Sequence, residues 1–341
     1  MGLVKPAALR PGDEIALITP SWAGPHEFPF VFDAGIATLT QTLGLRVREY
    51  PTTRAVADPS ARARDLMAAV VDPGIAGIIA SIGGDDSLRL LPHLDFDAIA
   101  RNPKVLLGYS DVTTLLLAWL RAGVVAFHGP TVMSGLAQAP SLPPSFLQQL
   151  RAVLFDGDAL AYAQFPWWVQ SYPDWSGGAH TATAVGTKYA RESLRIVQGQ
   201  GVITAPMVGG CVDVLTFLLG TAVFPTPDEL DGAFLLLETA EGPPRPRDVL
   251  RFSWNLAVQG GFSRLAGVLV GRHRGYRPDQ RAELERNLVT VARSCGRDDM
   301  PIVSGVEVGH TDPQLVLPLG VPLELDLDRG ALTLAEPAVI V

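Results

Sequence analysis

Residues 104–114 read KVLLGYSDVTT, and the rest of the chain is organised around this stretch. Residues 105–107 form a short apolar run typical of a buried strand, and Gly108 interrupts it. Ser110 stands at the break, and the apolar run that follows has helical length and ends at Gly123. The pattern predicts a strand, a tight turn that carries a serine, and a helix.

Two interpretations of Ser110 are open at this point. A serine on a strand–turn–helix junction is the geometry of a nucleophile elbow, where the first amides of the helix can stabilise an oxyanion. Alternatively, Ser110 or Asp111 is only the N-cap of the helix, a position that both residue types often occupy. The usual G-x-S-x-G pattern lacks its second glycine here, because Val112 stands in that position. Residues elsewhere in the chain have to decide between a nucleophile and a cap.

Composition limits the class of protein. A chain of 341 residues is long for one domain, so we expect two. The chain is 48% hydrophobic and 18% charged, which fits a large buried core. Its net charge of −8, without any Lys/Arg cluster, argues against a nucleic-acid partner. It has neither a signal-peptide pattern nor an apolar run of membrane-spanning length, so we expect a cytoplasmic protein without a membrane partner.

The sequence gives no indication of a metal or another cofactor. Cys211 and Cys295 are too few for a disulfide framework or a cysteine metal site. No H-E-x-x-H pattern, clustered Cys/His pattern or EF-hand loop occurs. We therefore expect neither a metal nor a cofactor.

Apolar runs alternate with helical patterns through the first half of the chain. The predicted strands are 14–19, 45–50, 74–82, 105–109 and 124–130, and helices are predicted at 32–43 and 60–71. This alternation predicts a parallel, Rossmann-like sheet with helices on both faces. Ligands of such sheets bind beyond the carboxyl ends of the strands, where the loops 19–24, 82–87 and 108–111 lie.

The pattern changes from about residue 140 onward. Residues 156–200 carry Trp167, Trp168 and Trp175 with little periodicity, as in an ordered linker or a substrate-facing flap. Further along, strands are predicted at 233–239 and 265–271, and helices at 246–259 and 278–294. The prediction for the whole chain is an α/β protein in three parts: a Rossmann-like N-terminal domain (1–150), a linker or flap (151–200) and a smaller C-terminal mixed α/β domain (201–341).

Two further polar residues follow predicted strands. Glu238 ends the apolar run FLLL, where catalytic groups of α/β folds are found, although a structural ion pair or a cap fits equally well. Glu241 is a nearby competitor deeper in the loop. His310 lies in a loop within VEVGHTDPQL and is a candidate general base, but a loop histidine is more often a surface residue. The competing histidines are His26, His93, His128, His180 and His273.

The loop after the third predicted strand reads GGDDS over residues 83–87. Neither dinucleotide nor P-loop spacing is present, and Asp85 and Asp86 would repel a phosphate. The glycines could instead allow a close backbone approach, with an amide directed at an oxyanion. A plain turn fits equally well.

Taken together, these segments resemble the LD-carboxypeptidase family of serine peptidases, the muramoyltetrapeptide carboxypeptidases. The resemblance covers nearly the whole chain and rests on the order and spacing of several blocks. These blocks are GDEIALITPS, SIGGDDSLRLLPHLDF, NPKVLLGYSDVTTLLLAWLRAGVVAFHGP, APMVGGCVDVLTFLLGT, LLLETAEGPPRPRDVLRFSWNL, GVLVG and GHTDPQLVLPLG.

The resemblance implies a Ser-His-Glu triad on particular residues of this chain. It maps the nucleophile to Ser110, the base to His310 and the carboxylate to Glu238. It also implies a Rossmann-like N-terminal domain, a smaller C-terminal α/β domain and a homodimer.

Amide hydrolysis by such a triad also needs hydrogen-bond donors for the oxyanion of the tetrahedral intermediate. We expect them to be the backbone amide of Asp111, directly after the nucleophile, and an amide of the Gly84–Asp85 turn.

The family implies two kinds of substrate. Cell-wall recycling members remove the terminal D-alanine from an L,D-linked murein tetrapeptide. Members like the microcin C immunity peptidase cut the amide that joins an aminoacyl group to a nucleotide. SIGGDDS and NPKVLLGYSD resemble the second group, and Trp167, Trp168 and Trp175 could stack a base, although flap packing explains these tryptophans equally well. We predict an aminoacyl-nucleotide substrate, with the murein tetrapeptide as the alternative.

Two hypotheses come from other functional classes. A two-lobed small-molecule binding protein would need a cleft but no aligned nucleophile and base. A nucleotide-dependent transferase would use residues 83–87 for phosphates, but the missing phosphate motif counts against it.

Overall fold

A computed structural model describes residues 2–170, 172, 174–240, 242 and 245–341 of the chain. Their strands are, in chain order, β1 (Glu14–Ile18), β2 (Arg46–Glu49), β3 (Ile75–Ala80), β4 (Val105–Gly108), β5 (Ala126–His128), β6 (Trp167–Val169), β7 (Lys188–Ala190), β8 (Arg195–Gln198), β9 (Val202–Cys211), β10 (Phe234–Glu238), β11 (Gly267–Gly271), β12 (Ile302–Val306), β13 (Leu317–Leu319), β14 (Pro322–Asp326) and β15 (Ala331–Leu334).

The α-helices of the same residues are α1 (Gly24–Glu27), α2 (Pro29–Ala37), α3 (Pro59–Val71), α4 (Phe96–Arg101), α5 (Thr113–Arg121), α6 (Ser145–Arg151), α7 (Val212–Leu218), α8 (Pro246–Val258) and α9 (Pro278–Ser294). π-Helical segments extend α2 (Thr38–Thr42) and α6 (Ala152–Asp156). The 3-10 segments are Ser87–His93, Ser110–Val112, Ala139–Ser141, Trp175–Gly177, Ala179–Thr181 and Phe262–Arg264. Over the part of the chain that is described, no helix has both the length and the apolar character needed to cross a membrane.

The first sheet has the strand order β13-β5-β4-β3-β1-β2, in which β1 to β5 run parallel to one another and β13 pairs antiparallel with β5. Side chains of β1 alternate between two apolar clusters on opposite faces, as the pleat requires. Ile18 belongs to the same cluster as Leu66 of α3, whereas Leu17 belongs to that of Phe32 of α2. Helices on both faces bury the strands, which confirms the predicted Rossmann-like sheet.

The second sheet has the order β15-β14-β9-β10-β11-β12-β8. Its central strands β9 to β12 are parallel, and β8, β14 and β15 pair antiparallel at the edges. The C-terminal half therefore has the mixed α/β character that the sequence predicts.

Two features of the topology differ from the sequence prediction. β9 (Val202–Cys211) is a long strand that is missing from the predicted strands. A side chain at Gly209 would overlap the backbone of Leu236 on the neighbouring strand, so this glycine serves close strand pairing and not a turn. In addition, β8 from the predicted linker joins the second sheet, and β13 from the predicted C-terminal domain joins the first. The boundaries at residues 150 and 200 stay predictions.

The two sheets meet near the amino-terminal end of α5. The backbone amide of Cys211, at the end of β9, donates to Thr113 Oγ1 at 3.1 Å. A side chain at Gly210 would approach the same threonine at 2.6 Å, so glycine at this position permits the close contact between the sheets. The contact brings the end of β4 close to the ends of the strands of the second sheet.

Candidate active site

Three side chains from distant parts of the chain form one hydrogen-bonded series. The Oγ of Ser110 lies 2.9 Å from Nε2 of His310, and Nδ1 of His310 lies 2.7 Å from Oε2 of Glu238. Glu238 is fully buried, His310 is 5% exposed, and Ser110 is half-buried. The structure thus brings together the three residues to which the family resemblance assigns a triad. Glu241 lies outside the described residues.

The backbone of Ser110 is held in an unusual conformation. Its φ is 62°, and no other non-glycine residue in the described part of the chain has a positive φ. This left-handed conformation costs an L-residue about 1–2 kcal/mol, so the surrounding packing has to impose it. Gly83 allows that packing, because a Cβ there would lie 2.8 Å from the Cβ of Ser110.

The missing second glycine of the elbow pattern has a local explanation. Val112 is fully buried and packs against the backbone of Gly108, where an added Cβ would lie 2.7 Å from the Cγ1 of Val112. Gly108, the first glycine of the pattern, therefore makes room for Val112, which stands in place of the second glycine.

Glu238 is ionised despite its burial. Burial raises the pKa of this carboxyl, but the electrostatic and hydrogen-bonding effects of the imidazoles of His310 and His128 outweigh burial and hold the pKa at about 2. A side chain at Gly309 would lie 2.8 Å from Oε2 of Glu238, so a glycine directly before His310 permits the close approach. The arrangement suits a carboxylate that accepts the Nδ1–H of the imidazole.

The loop that follows β3 lies against the nucleophile, but only part of it matches the expected oxyanion donors. The amide of Asp85 donates to Ser21 Oγ at 3.0 Å, so this expected donor already has an acceptor in the structure, and its role towards an oxyanion stays a prediction. A Cβ at Gly84 would lie 2.2 Å from Ser21 Oγ, so only glycine fits at this position without a shift of its neighbours. The amides of Gly84 and Asp111 are left as the candidate donors.

A buried arginine that the sequence reasoning missed fixes this loop. Arg62 of α3 is 3% exposed and donates to the carbonyl oxygens of Pro20 and Ser21 at 2.7 and 2.9 Å. It also binds both carboxylate oxygens of Asp86, at 2.7 and 2.8 Å, and lowers the pKa of that group. No local sequence signal marks Arg62, because its partners lie on two other loops.

The cleft above Ser110 has a volume of about 620 Å³ and an aromatic end. Trp175 lies there parallel to Trp22, with ring centroids 6.5 Å apart, and Tyr172 stacks on Trp175 at 6.1 Å. The described residues that line the cleft are Trp22, Phe28, Ile82, Gly83, Gly84, Asp85, Tyr109, Ser110, Ser134, Tyr172, Asp174, Trp175, Ala240, Gly242, Arg274 and His310. Sequence reasoning missed Trp22, although it lies in the loop 19–24, which was predicted to lie at the ligand-binding edge of the sheet.

The other two candidate tryptophans lie elsewhere. Trp167 and Trp168 belong to β6, which pairs with β7 away from the lining of the cleft. Lys188 lies 4.1 Å from the ring centroid of Trp167, and Trp168 is buried and stacks on Tyr189 at 4.8 Å. Their partners explain them as packing residues of a hairpin, so the geometry favours only Trp175 among the three predicted substrate-binding tryptophans.

Tyr109 contributes to the site in a way that the sequence did not indicate. Its ring meets the imidazole of His310 edge-on, with centroids 5.0 Å apart. Its hydroxyl shares a hydrogen bond with Ser134, whose Oγ lies 2.7 Å from the hydroxyl of Tyr172. Tyr109 and Ser134 therefore connect the imidazole of His310 to Tyr172 at the aromatic end of the cleft.

Comparison with known proteins gives two domain matches along the chain. The LD-carboxypeptidase N-terminal domain matches residues 15–129, and the LD-carboxypeptidase C-terminal domain matches residues 204–325. The chain belongs to the LD-carboxypeptidase family. As a member of this family it is a serine peptidase-type hydrolase.

Two relatives and one solved structure illustrate the relationship of this LD-carboxypeptidase family member to others. It is 28% identical over 339 residues to a Vibrio cholerae protein with a provisional carboxypeptidase name, covering 96% of this chain and 97% of that one. It is 27% identical over 277 residues to the microcin C7 self-immunity protein MccF of Escherichia coli, covering 81% and 78%. A structure of MccF in complex with aspartyl sulfamoyl adenosine superposes with a TM-score of 0.85 at 25% identity, covering 98% and 99%.

Proposed function

We propose that this LD-carboxypeptidase family member hydrolyses an amide bond with Ser110 as nucleophile, His310 as general base and Glu238 as the carboxylate that orients the imidazole. The observation that carries the proposal is the continuous series of contacts at 2.9 and 2.7 Å between these three side chains. A serine hydroxyl is a weak nucleophile at neutral pH, so it needs a base within hydrogen-bond reach.

The proposed mechanism follows from the atoms that face each other. Nε2 of His310 accepts the hydroxyl proton while Oγ of Ser110 attacks the scissile carbonyl carbon. The imidazolium then gives this proton to the leaving nitrogen, and a water molecule hydrolyses the acyl-enzyme by the same steps. Glu238 accepts Nδ1–H throughout, which fixes the tautomer of His310 and stabilises its charge.

The amides of Asp111 and Gly84 are the proposed oxyanion donors. Asp111 directly follows the nucleophile, and Gly84 belongs to the loop that Arg62 and Asp86 hold against it. Donors of this kind each stabilise the transition state by about 3 kcal/mol.

We further propose that the substrate is an aminoacyl-nucleotide conjugate. In support, Trp22 and Trp175 place parallel aromatic faces in the same cleft as Ser110, and Tyr172 stacks on Trp175. Stacking a base on one aromatic side chain contributes about 1–3 kcal/mol to binding. The bound aspartyl sulfamoyl adenosine of the MccF structure is a ligand of this class.

One observation favours the alternative, an L,D-linked murein tetrapeptide that loses its terminal D-alanine. Arg274 lines the cleft and is the only lysine or arginine among its described lining residues. A carboxypeptidase has to bind the terminal carboxylate of its substrate, and a guanidinium suits that group.

The test compares the purified protein with its Ser110→Ala variant on two substrates, an L,D-linked murein tetrapeptide and a panel of aminoacyl sulfamoyl adenylates. Mass spectrometry follows the products. We expect the wild type to release the amino acid from an adenylate and the variant to lose a factor of about 10⁴ or more in kcat. Ser294→Ala, at an exposed serine of α9 that does not line the cleft, is the matched control and should stay close to the wild type.

Each other outcome has a definite meaning. Release of D-alanine instead would make the protein a murein carboxypeptidase and leave the aromatic end of the cleft without its proposed role. Cleavage by Ser110→Ala would overturn the triad. Saturable binding of either compound without cleavage by the wild type would favour the non-catalytic binding protein.

A further inference from the structure

A second imidazole is buried beside the carboxylate of the proposed triad. His128 is the last residue of β5 and is fully buried, as Glu238 is. Its Nε2 lies 3.9 Å from Oε1 of Glu238, whereas Oε2 of the same carboxylate faces Nδ1 of His310 at 2.7 Å. The two imidazoles therefore lie at different oxygens of one carboxylate.

Strand pairing fixes this position of His128. In the first sheet its partner on the parallel neighbour β4 is Gly108, two residues before the proposed nucleophile. Its partner on the antiparallel neighbour β13 is Leu317, in the strand that follows the loop of His310. His128 thus lies between the strand that leads to the nucleophile and the strand that follows the base.

The polar atoms at this place have unmet hydrogen-bonding capacity. Among the described residues, three buried atoms at this place have no hydrogen-bond partner: both ring nitrogens of His128, and Oε1 of Glu238. Buried donors and acceptors that stay unpaired are destabilising, and nearly all such groups in proteins find a partner. An approach of about 1 Å would bring Nε2 and Oε1 within hydrogen-bonding distance. Catalytic hydrogen bonds are often long without substrate and shorten when it binds.

We propose that His128 is a positioning residue that donates its Nε2–H to Oε1 of Glu238 and holds the carboxylate for His310. The inference rests on the triad proposed above. A carboxylate anchored at both oxygens cannot rotate about its terminal bond, so Oε2 stays aligned with Nδ1–H of His310 while that ring gains the proton of Ser110.

A purely structural role for His128 predicts a different pattern of variants. As a packing residue it would be sensitive to volume and shape, and a side chain that only restored an N–H group would bring no benefit. Leucine removes the donor from this position. Glutamine carries an amide N–H at about the place of the imidazole Nε2, so it restores the donor.

The kinetic test measures kcat and KM for His128→Leu and His128→Gln on the substrate that the wild type cleaves, after thermal unfolding has shown that both variants fold. We expect His128→Leu to lower kcat by about 10- to 100-fold with KM within about threefold, and His128→Gln to regain most of the loss. Equal losses in both variants, or a His128→Leu enzyme close to the wild type, would overturn the inference.

A second measurement does not depend on activity or on the folding of a variant. Nitrogen NMR of the wild type with ¹⁵N-labelled histidine reports which ring nitrogen carries a proton. Once the ring signals are assigned to positions, which separates His128 from the buried His273 and His310, we expect a histidine protonated at Nε2 at position 128. If no such histidine is found, the hydrogen bond to Glu238 does not exist. If Ser110→Ala stays active, the triad fails instead, and this spectrum still decides whether His128 donates to Glu238.

Discussion

Ser110 combines a strained backbone with a hydroxyl that faces a base. Its φ of 62° accompanies close packing around the turn, where Gly83 lacks a Cβ that would collide with Ser110 and Gly108 lacks one that would collide with Val112. The strain is local, and its cost is met by the burial of the strand and helix that flank the turn.

Asp312 is a buried carboxyl close to His310 in sequence, and we predict that it limits stability at high pH. It is 1% exposed, and burial raises its pKa to about 7, with only the Gln314 amide acting in the opposite direction. Because this folded-state pKa lies above the unfolded value, the group's favourable contribution is complete below about pH 4 and is lost as pH rises to about 7.

Asp312→Asn removes this titration and keeps the shape of the side chain. We expect the variant to gain stability relative to the wild type between pH 5 and pH 8, by up to a few kcal/mol at pH 8. Thermal unfolding followed by circular dichroism at both pH values measures the difference. Asp298→Asn, at an exposed position, is the control and should show no such trend. A difference between Asp312→Asn and wild type that does not change with pH would contradict the prediction.

At the scale of elements, the loop after β3 is positioned by α3 and not by its own sequence. Arg62 ties the loop to the segment after β1, because one guanidinium binds Asp86 and two carbonyl oxygens. The loop in turn carries Gly84, a proposed oxyanion donor. Its geometry therefore depends on a side chain more than twenty residues away in sequence.

We predict that Asp86→Ala lowers kcat by about tenfold, because the loop loses its anchor and the Gly84 amide its fixed direction. The effect on KM should be smaller, since the side chain of Asp86 does not line the cleft. Steady-state kinetics measures both constants. Arg89→Ala is the matched control, because Arg89 pairs with the same carboxylate at 3.3 Å but is exposed, and such pairs contribute little. Comparable losses in the two variants would show that the anchor is not Arg62.

At the scale of the whole molecule, the two sheets are interleaved along the chain. β13 enters the first sheet from the C-terminal half, and Ala7 near the N-terminus pairs with Ile340 near the C-terminus. The proposed active site also takes Ser110 from one half of the chain, and Glu238 and His310 from the other. The homodimer that the family resemblance implies stays a prediction.

We predict that this interleaving makes unfolding a single cooperative transition. Urea unfolding monitored by tryptophan fluorescence and by far-ultraviolet circular dichroism should give coincident curves. Residues 1–150 expressed alone should not fold stably, because the first sheet would lack its edge strand β13. Two separated transitions, or a folded fragment, would show that the halves are independent and that the added strand contributes little.

The sequence by itself predicted the elements whose signal is local. The apolar runs of β1, β3, β4 and β10, the elbow around Ser110 and the end-of-strand position of Glu238 follow from periodicity and from glycine placement within a few residues. The resemblance of ordered blocks added the family and the pairing of Ser110 with His310, which periodicity alone left open.

Only the tertiary structure decided which groups meet. It engaged the Asp85 amide with Ser21, placed Trp175 in the cleft and Trp168 in a hairpin, and brought His128 to Glu238. The physical reason is that these contacts depend on strand order and register between segments far apart in sequence. A local pattern specifies whether a residue is buried and on which face it lies, but not which distant hydrogen-bond partner it will find there.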